Sequence, residues 1–386
     1  MKVGFVVASL QNPSGWRTHA LALIGALESQ IQPTIFISAS ELPFAQEAFP
    51  NHPIIPLPTI QNSLPSNPAN WKILWATYRL IQRLNLSLDL IHSLEAYPSG
   101  LIGYWLAKRF RCPHILTAHG TYGIIAYANR LDRLIYQQVL RQAAMICPVS
   151  HATGERIAHY FQPAIQQTPI RPILNGNDFA QRVPRAVAWN RQLPQTPTLL
   201  SVGDVKARKG HHVSLQVFAR LQAEMPQIRY HIVGKCPDNA YTRQLKRYTQ
   251  EQHLRNVIFY DVVSAAELAE QYRQASLFIL TPQEGQGAER WHFEGFGLVY
   301  LEAGAYGVPV IASQSGGVGD AVKHGETGFI LAPEDIDGMV QASLKLLRDA
   351  QLNQQMGRAN RLYAETLTWQ KCAAEYMNAY QDIVAR

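Results

Sequence analysis

The sequence predicts an α/β protein of two Rossmann-like halves, on three observations. Short apolar runs alternate with helical segments, as in βαβ units with a parallel sheet. The alternation stops at residues 181–198, QRVPRAVAWNRQLPQTPT, and then restarts. The chain has 386 residues, about two domains' worth, and is 47% hydrophobic and 16% charged, so each half can bury a core.

In the first half, Val3–Ala8 is a continuous apolar run that suits a strand buried on both faces. A polar loop follows from Asn12 to Gly15, then a helix from His19 to Leu27. Further strands are expected at Thr34–Ile37, Leu90–Ile91, His114–Thr117 and Met145–Val149, with helices at Trp71–Leu84, Gly100–Phe110 and Leu131–Ala144. In the second half, strands are expected at Thr198–Val202, Arg229–Val233, Val257–Tyr260, Leu277–Leu280 and Val308–Ala312. Helices are expected at His212–Ala223, Ala240–Gln252, Ala265–Gln274 and Leu298–Tyr306, and an aromatic helix closes the chain at Trp369–Ile383. The division implied is residues 1–185 and 186–368, with 369–386 packing back on the first domain. Ligands of such sheets bind beyond the carboxyl ends of the strands.

Composition narrows the function classes. The four cysteines, Cys112, Cys147, Cys236 and Cys372, form no CxxC pair and read as buried thiols of a reducing compartment. The opening MKVGFVVASL is too short in its apolar core for a signal peptide. No run reaches the roughly 18 apolar residues of a membrane-spanning helix. A cytoplasmic location is expected, with peripheral contact at the inner membrane face as an option. The net charge of +7 lies entirely in the first half: residues 1–185 hold 15 basic and 8 acidic residues, residues 186–386 hold 20 of each. That excess suits an anionic partner, such as a phosphorylated acceptor or a membrane surface, or simply a solvated basic face. It is too modest for nucleic acid, and basic motifs interleaved with aromatics are absent. In WKILWATYRLIQRL, Trp71, Leu74, Trp75, Tyr78 and Ile81 share a helix face bordered by Lys72, Arg79 and Arg83. A helix facing the core is favoured over one resting on an anionic membrane.

The densest chemical signal is FEGFGLVYLEAGAYGVPVIAS, Phe293 to Ser313. Gly295 and Gly297 flank Phe296 just ahead of an apolar helix and let backbone approach a ligand closely. The helix beginning near Leu298 would direct amides and the positive end of its dipole at an anion, a diphosphate above all. Glu294 precedes that helix and Glu302 lies about one turn inside it. A carboxylate accepts hydrogen bonds from two vicinal hydroxyls, so two glutamates beside a phosphate site suit a sugar nucleotide. In SVGDVKARKGHH, Ser201 to His212, the cations Lys206, Arg208 and Lys209 follow a strand end. His119, in LTAHGTYG, also follows a strand end, and Gly15 lies in the loop after the first strand.

Glu294 and Glu302, with seven residues between them, resemble the E-x7-E signature of retaining glycosyltransferases of family 4, and the likeness covers nearly the whole chain. It implies the GT-B fold: two facing Rossmann-like domains with a donor cleft between them. It implies that Glu294 contacts donor sugar hydroxyls, that Glu302 holds the ribose, and that the backbone of Gly295, Phe296, Gly297 and Leu298 meets phosphate and sugar. Lys209 matches the family's lysine before Gly210. The family's arginine position holds Asp204, so Arg208 or Lys206 is expected to supply that charge. His119 matches a histidine near the donor's anomeric carbon. Where many members carry Gly-Gly, this chain has Ser14-Gly15, and only Gly15 carries over. Asn175–Asp178 resembles the family's NGVD turn. Ser315–Asp320 resembles its GG-x-P-E loop, with Gly319 and Asp320 in place of Pro and Glu.

The expected activity is transfer of a hexosyl group from a UDP- or GDP-linked sugar to a glycan, lipid-linked or small-molecule acceptor. Catalytic roles fall to His119, Glu294 and Lys209, with Gly15, Lys206, Arg208, Gly295, Phe296, Gly297, Leu298 and Glu302 at the donor. No cofactor and no metal are expected, because Asp335-Ile336-Asp337 reads as helix-start charge and not as a cation triad. The competing readings are a GT-B phosphorylase, for which no convincing pyridoxal lysine is seen, an epimerase, or a non-catalytic nucleotide-sugar-binding protein.

Overall fold

The structure is a computed structural model that describes residues 1–11, 14–60, 63–285 and 291–385. It divides into two compact units, Met1–Gly176 with Trp369–Arg386, and Asn177–Thr368. The break falls at Gly176, before the expected 185. The expected linker is partly helical, at Phe179–Arg182 and Arg185–Trp189, and belongs to the second unit.

The first unit holds a six-stranded parallel sheet. Its strands are β1 (Lys2–Val6), β2 (Gln32–Ser38), β3 (Ile54–Leu57), β4 (Leu90–Ser93), β5 (His114–Ala118) and β6 (Met145–Pro148). Their spatial order is β3-β2-β1-β4-β5-β6. The second unit holds β7 (Thr198–Val202), β8 (Arg229–Val233), β9 (Val257–Tyr260), β10 (Leu277–Leu280), β11 (Val310–Ser313) and β12 (Gly328–Leu331), in the order β12-β11-β10-β7-β8-β9. Read from the first strand of each unit, the two orders are the same. This is the doubly wound order 3-2-1-4-5-6, which reverses direction beside its first strand and leaves a crevice there. In the first unit the crevice lies between β1 and β4, in the second between β7 and β10.

Alternation along the strands fills both faces of each sheet. In β1, Val3 and Phe5 enter one core cluster with Ile35 and Leu90, and Val6 enters the other with Phe36, Ile91 and Leu106. The helix Trp369–Val384 completes the first of these with Trp369, Tyr376 and Tyr380, packed on the helix Gly15–Leu27. It is also tied by polar contacts. The Tyr380 hydroxyl lies 2.6 Å from His92 Nδ1, His92 Nε2 lies 2.8 Å from Thr117 Oγ1, and Thr117 Oγ1 lies 2.6 Å from the Tyr376 hydroxyl. Burial lowers the His92 imidazole well below its ordinary value, so the network is neutral.

Two strands escape the sequence reading, β3 and β12. Both are sheet edges of four residues, and Pro56 within β3 is tolerated there because an edge strand leaves backbone groups unpaired. The Trp71–Arg83 helix corrects another expectation. Leu74, Thr77 and Ile81 are its buried residues, whereas Trp71 and Trp75 are exposed. The core face is therefore turned away from the two tryptophans.

Candidate functional site

In the second unit the chemistry gathers at the crevice. After β7 the chain makes a short turn, Ala207–Lys209, and reaches Gly210, which begins the helix His211–Glu224 in the left-handed region at φ 70°. A Cβ on Gly210 would stand 1.6 Å from the Thr281 carbonyl oxygen, so only glycine fits. Thr281 Oγ1 donates to the Gly210 carbonyl at 2.8 Å, and the Gln283 amide donates to the Arg208 carbonyl at 2.8 Å. The segment after β10 thus holds the basic turn in place.

That turn presents Lys209 to Glu294. Lys209 Nζ donates to Glu294 Oε2 at 2.6 Å, and Arg208 NH1 approaches the same oxygen at 3.5 Å. Glu294 is 8% exposed. Burial pushes its carboxyl up, but Lys209, Arg208 and the Gly295 amide outweigh that and hold it below the usual range. The loop at 315–317 fixes its backbone: Ser315 Oγ accepts from the Glu294 amide at 3.2 Å, and the Gly317 amide donates to the Glu294 carbonyl at 2.8 Å. Gly297, at φ 92°, opens the helix Leu298–Ala305, and a Cβ there would lie 2.5 Å from the Tyr300 ring. Phe296 is buried beneath this turn, and Leu298 is half-buried.

Lys206 is not part of this cluster. It pairs with Asp204 at 2.7 Å on the surface, so the cation that joins Lys209 is Arg208. Glu302 has a partner of its own, the Tyr272 hydroxyl, which donates to Oε2 at 3.0 Å. Burial pushes its carboxyl up to about 7, against the downward pull of that hydrogen bond. Tyr272 is held by stacking on Tyr306, ring centroids 5.1 Å apart. The aspartates of the D-x-D have other work: Asp335 accepts from the Gly338 amide at 2.8 Å to cap a helix, and Asp337 pairs with Arg220.

In the first unit, His119 follows β5 and Gly15 begins the first helix. Burial lowers the His119 imidazole well below its ordinary value, and it donates to the Leu94 carbonyl. Its Nε2 has no hydrogen-bond partner among the described residues. The His19 ring meets it edge-on at 4.6 Å, with Nδ1 2.9 Å from Asn175 Oδ1. A Cβ on Gly15 would meet nothing within 4 Å, so packing does not demand glycine there; Asn12 and Pro13 of the same loop lie outside the described residues. The sequence reading passed over Glu95, just beyond β4. Its carboxyl accepts from the amides of Ala96, at 2.6 Å, and His119, and burial raises it well above the carboxylate range. Its position two residues past a strand at the crevice was the signal available.

A basic turn on a buried glutamate, at the crevice of a doubly wound sheet, is an arrangement suited to an anionic ligand. Residues 189–363 match the family Glycosyl transferases group 1, and residues 13–181 match Glycosyltransferase Family 4. A GDP-mannose-dependent alpha-(1-6)-phosphatidylinositol monomannoside mannosyltransferase from Mycolicibacterium smegmatis is 30% identical over 273 residues, 70% of each chain. A glycogen synthase from Mycobacterium tuberculosis is 28% identical over 302 residues, 76% of this chain and 68% of the relative. The fold matches sucrose-phosphate synthase from Thermosynechococcus elongatus, with a TM-score of 0.75, 21% identity and coverage of 100% and 99%. It also matches Anabaena HepE in complex with UDP, with a TM-score of 0.77, 16% identity and coverage of 99% and 100%. The chain belongs to the family 4 glycosyltransferases and has the GT-B fold.

Proposed function

We propose that the protein is a retaining hexosyltransferase that draws its sugar from a UDP- or GDP-linked donor. The observation that carries this reading is the buried Glu294 carboxylate held by Lys209 and Arg208 at the β7–β10 crevice, next to the first turn of the Leu298–Ala305 helix. Breaking the bond between the anomeric carbon and phosphate leaves positive charge on the sugar and negative charge on the diphosphate. Lys209, Arg208 and the helix start stabilise the diphosphate. Glu294 orients the sugar through its hydroxyls, and Glu302 takes the ribose. The acceptor hydroxyl attacks the anomeric carbon on the face the phosphate leaves, and a phosphate oxygen takes the acceptor's proton. His119, a neutral imidazole, hydrogen-bonds the sugar and does not act as an acid. No metal is assigned a role.

Both donor classes have support: one relative is named for GDP-mannose, and structural neighbours hold UDP and UDP-glucose. The acceptor is a glycan, a lipid-linked sugar or a small molecule. Thermal melts with UDP-glucose, UDP-N-acetylglucosamine, UDP-galactose and GDP-mannose test the donor. The matching one, at about 100 times its Kd, stabilises the fold by about 2.7 kcal/mol. No shift with any of the four would count against a UDP or GDP hexose. The anomeric configuration of the product, read by NMR, tests retention.

A further inference from the structure

Among the described residues of the first unit, seven of the nine exposed large hydrophobic side chains lie in two segments, 64–75 and 122–134. Trp71 and Trp75 are the largest, at 57% and 59% exposed, and Leu64, Leu131 and Leu134 accompany them. Both segments leave the carboxyl ends of strands, the first after β3 and the second after β5. The sheet is parallel throughout, so both emerge at the same edge. They are also tied together: Ser66 donates to Asp132 from its amide, at 3.0 Å, and from its hydroxyl, at 2.5 Å. Trp71 is fixed by its indole N–H, which donates to the Pro65 carbonyl at 2.8 Å.

Charge says what these side chains face. Residues 64–79 and 122–134 hold four basic residues, Lys72, Arg79, Arg130 and Arg133, and one acidic residue, Asp132, which is buried. Among the exposed tryptophans and leucines stand Lys72, Arg79 and Arg130, with the Arg79 guanidinium over the Trp75 ring at 5.8 Å. Indole and leucine side chains interleaved with cations suit the headgroup boundary of a bilayer, where rings enter the acyl region and cations stay with phosphate. A second copy of this chain fits poorly, because a two-fold contact would bring together two patches that each carry Lys72, Arg79 and Arg130 and whose one acid, Asp132, is buried.

We propose that this edge of the first unit, formed by the starts of the 71–83 and 130–142 helices, docks the protein on an anionic lipid surface. The proposal goes beyond the sugar-transfer reading and needs no donor to be tested. Full-length protein is floated with vesicles of phosphatidylglycerol and phosphatidylcholine, and with phosphatidylcholine alone. Wild type rises with the anionic vesicles, is left behind by the neutral ones, and dissociates as salt is raised. Arg79→Glu weakens partitioning at least about fivefold, and Trp75→Ser weakens it comparably, with melting temperatures unchanged. Equal flotation on both vesicle types, no flotation, or unaltered flotation of both variants overturns the proposal. So does a wild-type dimer in sedimentation that Trp75→Ser dissolves without any vesicle binding.

Discussion

Within the basic turn, three cations lie close in sequence and only two reach Glu294. Lys206 is spent on Asp204, while Lys209 and Arg208 share one carboxylate oxygen. Arg208→Ala should therefore lower turnover by about tenfold or more, whereas Lys206→Ala should leave it near wild type, measured as steady-state donor consumption. Glu302 gives a pH signature. Its carboxyl is raised from 4.5 to about 7, so the folded chain holds the proton more tightly than the unfolded one. The contribution to stability is complete below about 4.5 and is lost as pH rises through about 7. Glu302→Gln should melt above wild type at about pH 8 and the gain should shrink towards about pH 5; an offset independent of pH would reject the assignment. Under the proposed role of Glu302 at the ribose, donor binding should strengthen over the same interval, as the carboxylate ionises.

At the scale of elements, the interior strands and most helices were legible because burial on both faces leaves continuous apolar runs between helical segments. Two of the edge strands, β3 and β12, were not, since both are short and half-solvated, whereas the edges β6 and β9 were expected. The Trp71–Arg83 helix was misjudged because periodicity marks a face, but not whether the largest residues on it point inwards. Glu294, Lys209 and the Gly297 turn could be placed from sequence by motif. The Asp204 departure could not be resolved there, because which lysine or arginine fills a charge depends on the turn's path around Gly210. Gly210→Ala should displace that turn, lowering both the melting temperature and donor affinity. In the other unit, Tyr380→Phe leaves His92 Nδ1 buried without its hydroxyl and should cost about 1–3 kcal/mol, read from denaturant unfolding.

The whole molecule repeats one strand order twice, and each repeat gathers its polar side chains just past the strands that flank its crevice. In the first unit, burial disfavours the charged forms of His119, His19 and Glu95. The second offers fixed charge, Lys209 and Arg208 on Glu294. The charge asymmetry was visible in the sequence, but the burial of Glu95 and Asp132 emerged only from the structure. The most direct test of the central claim is single-turnover donor cleavage by Lys209→Ala and Glu294→Gln beside wild type, using whichever nucleotide sugar stabilises the protein. A loss of about 100-fold or more in each variant, with the fold intact, is the predicted result. Cleavage near the wild-type rate in either would contradict it.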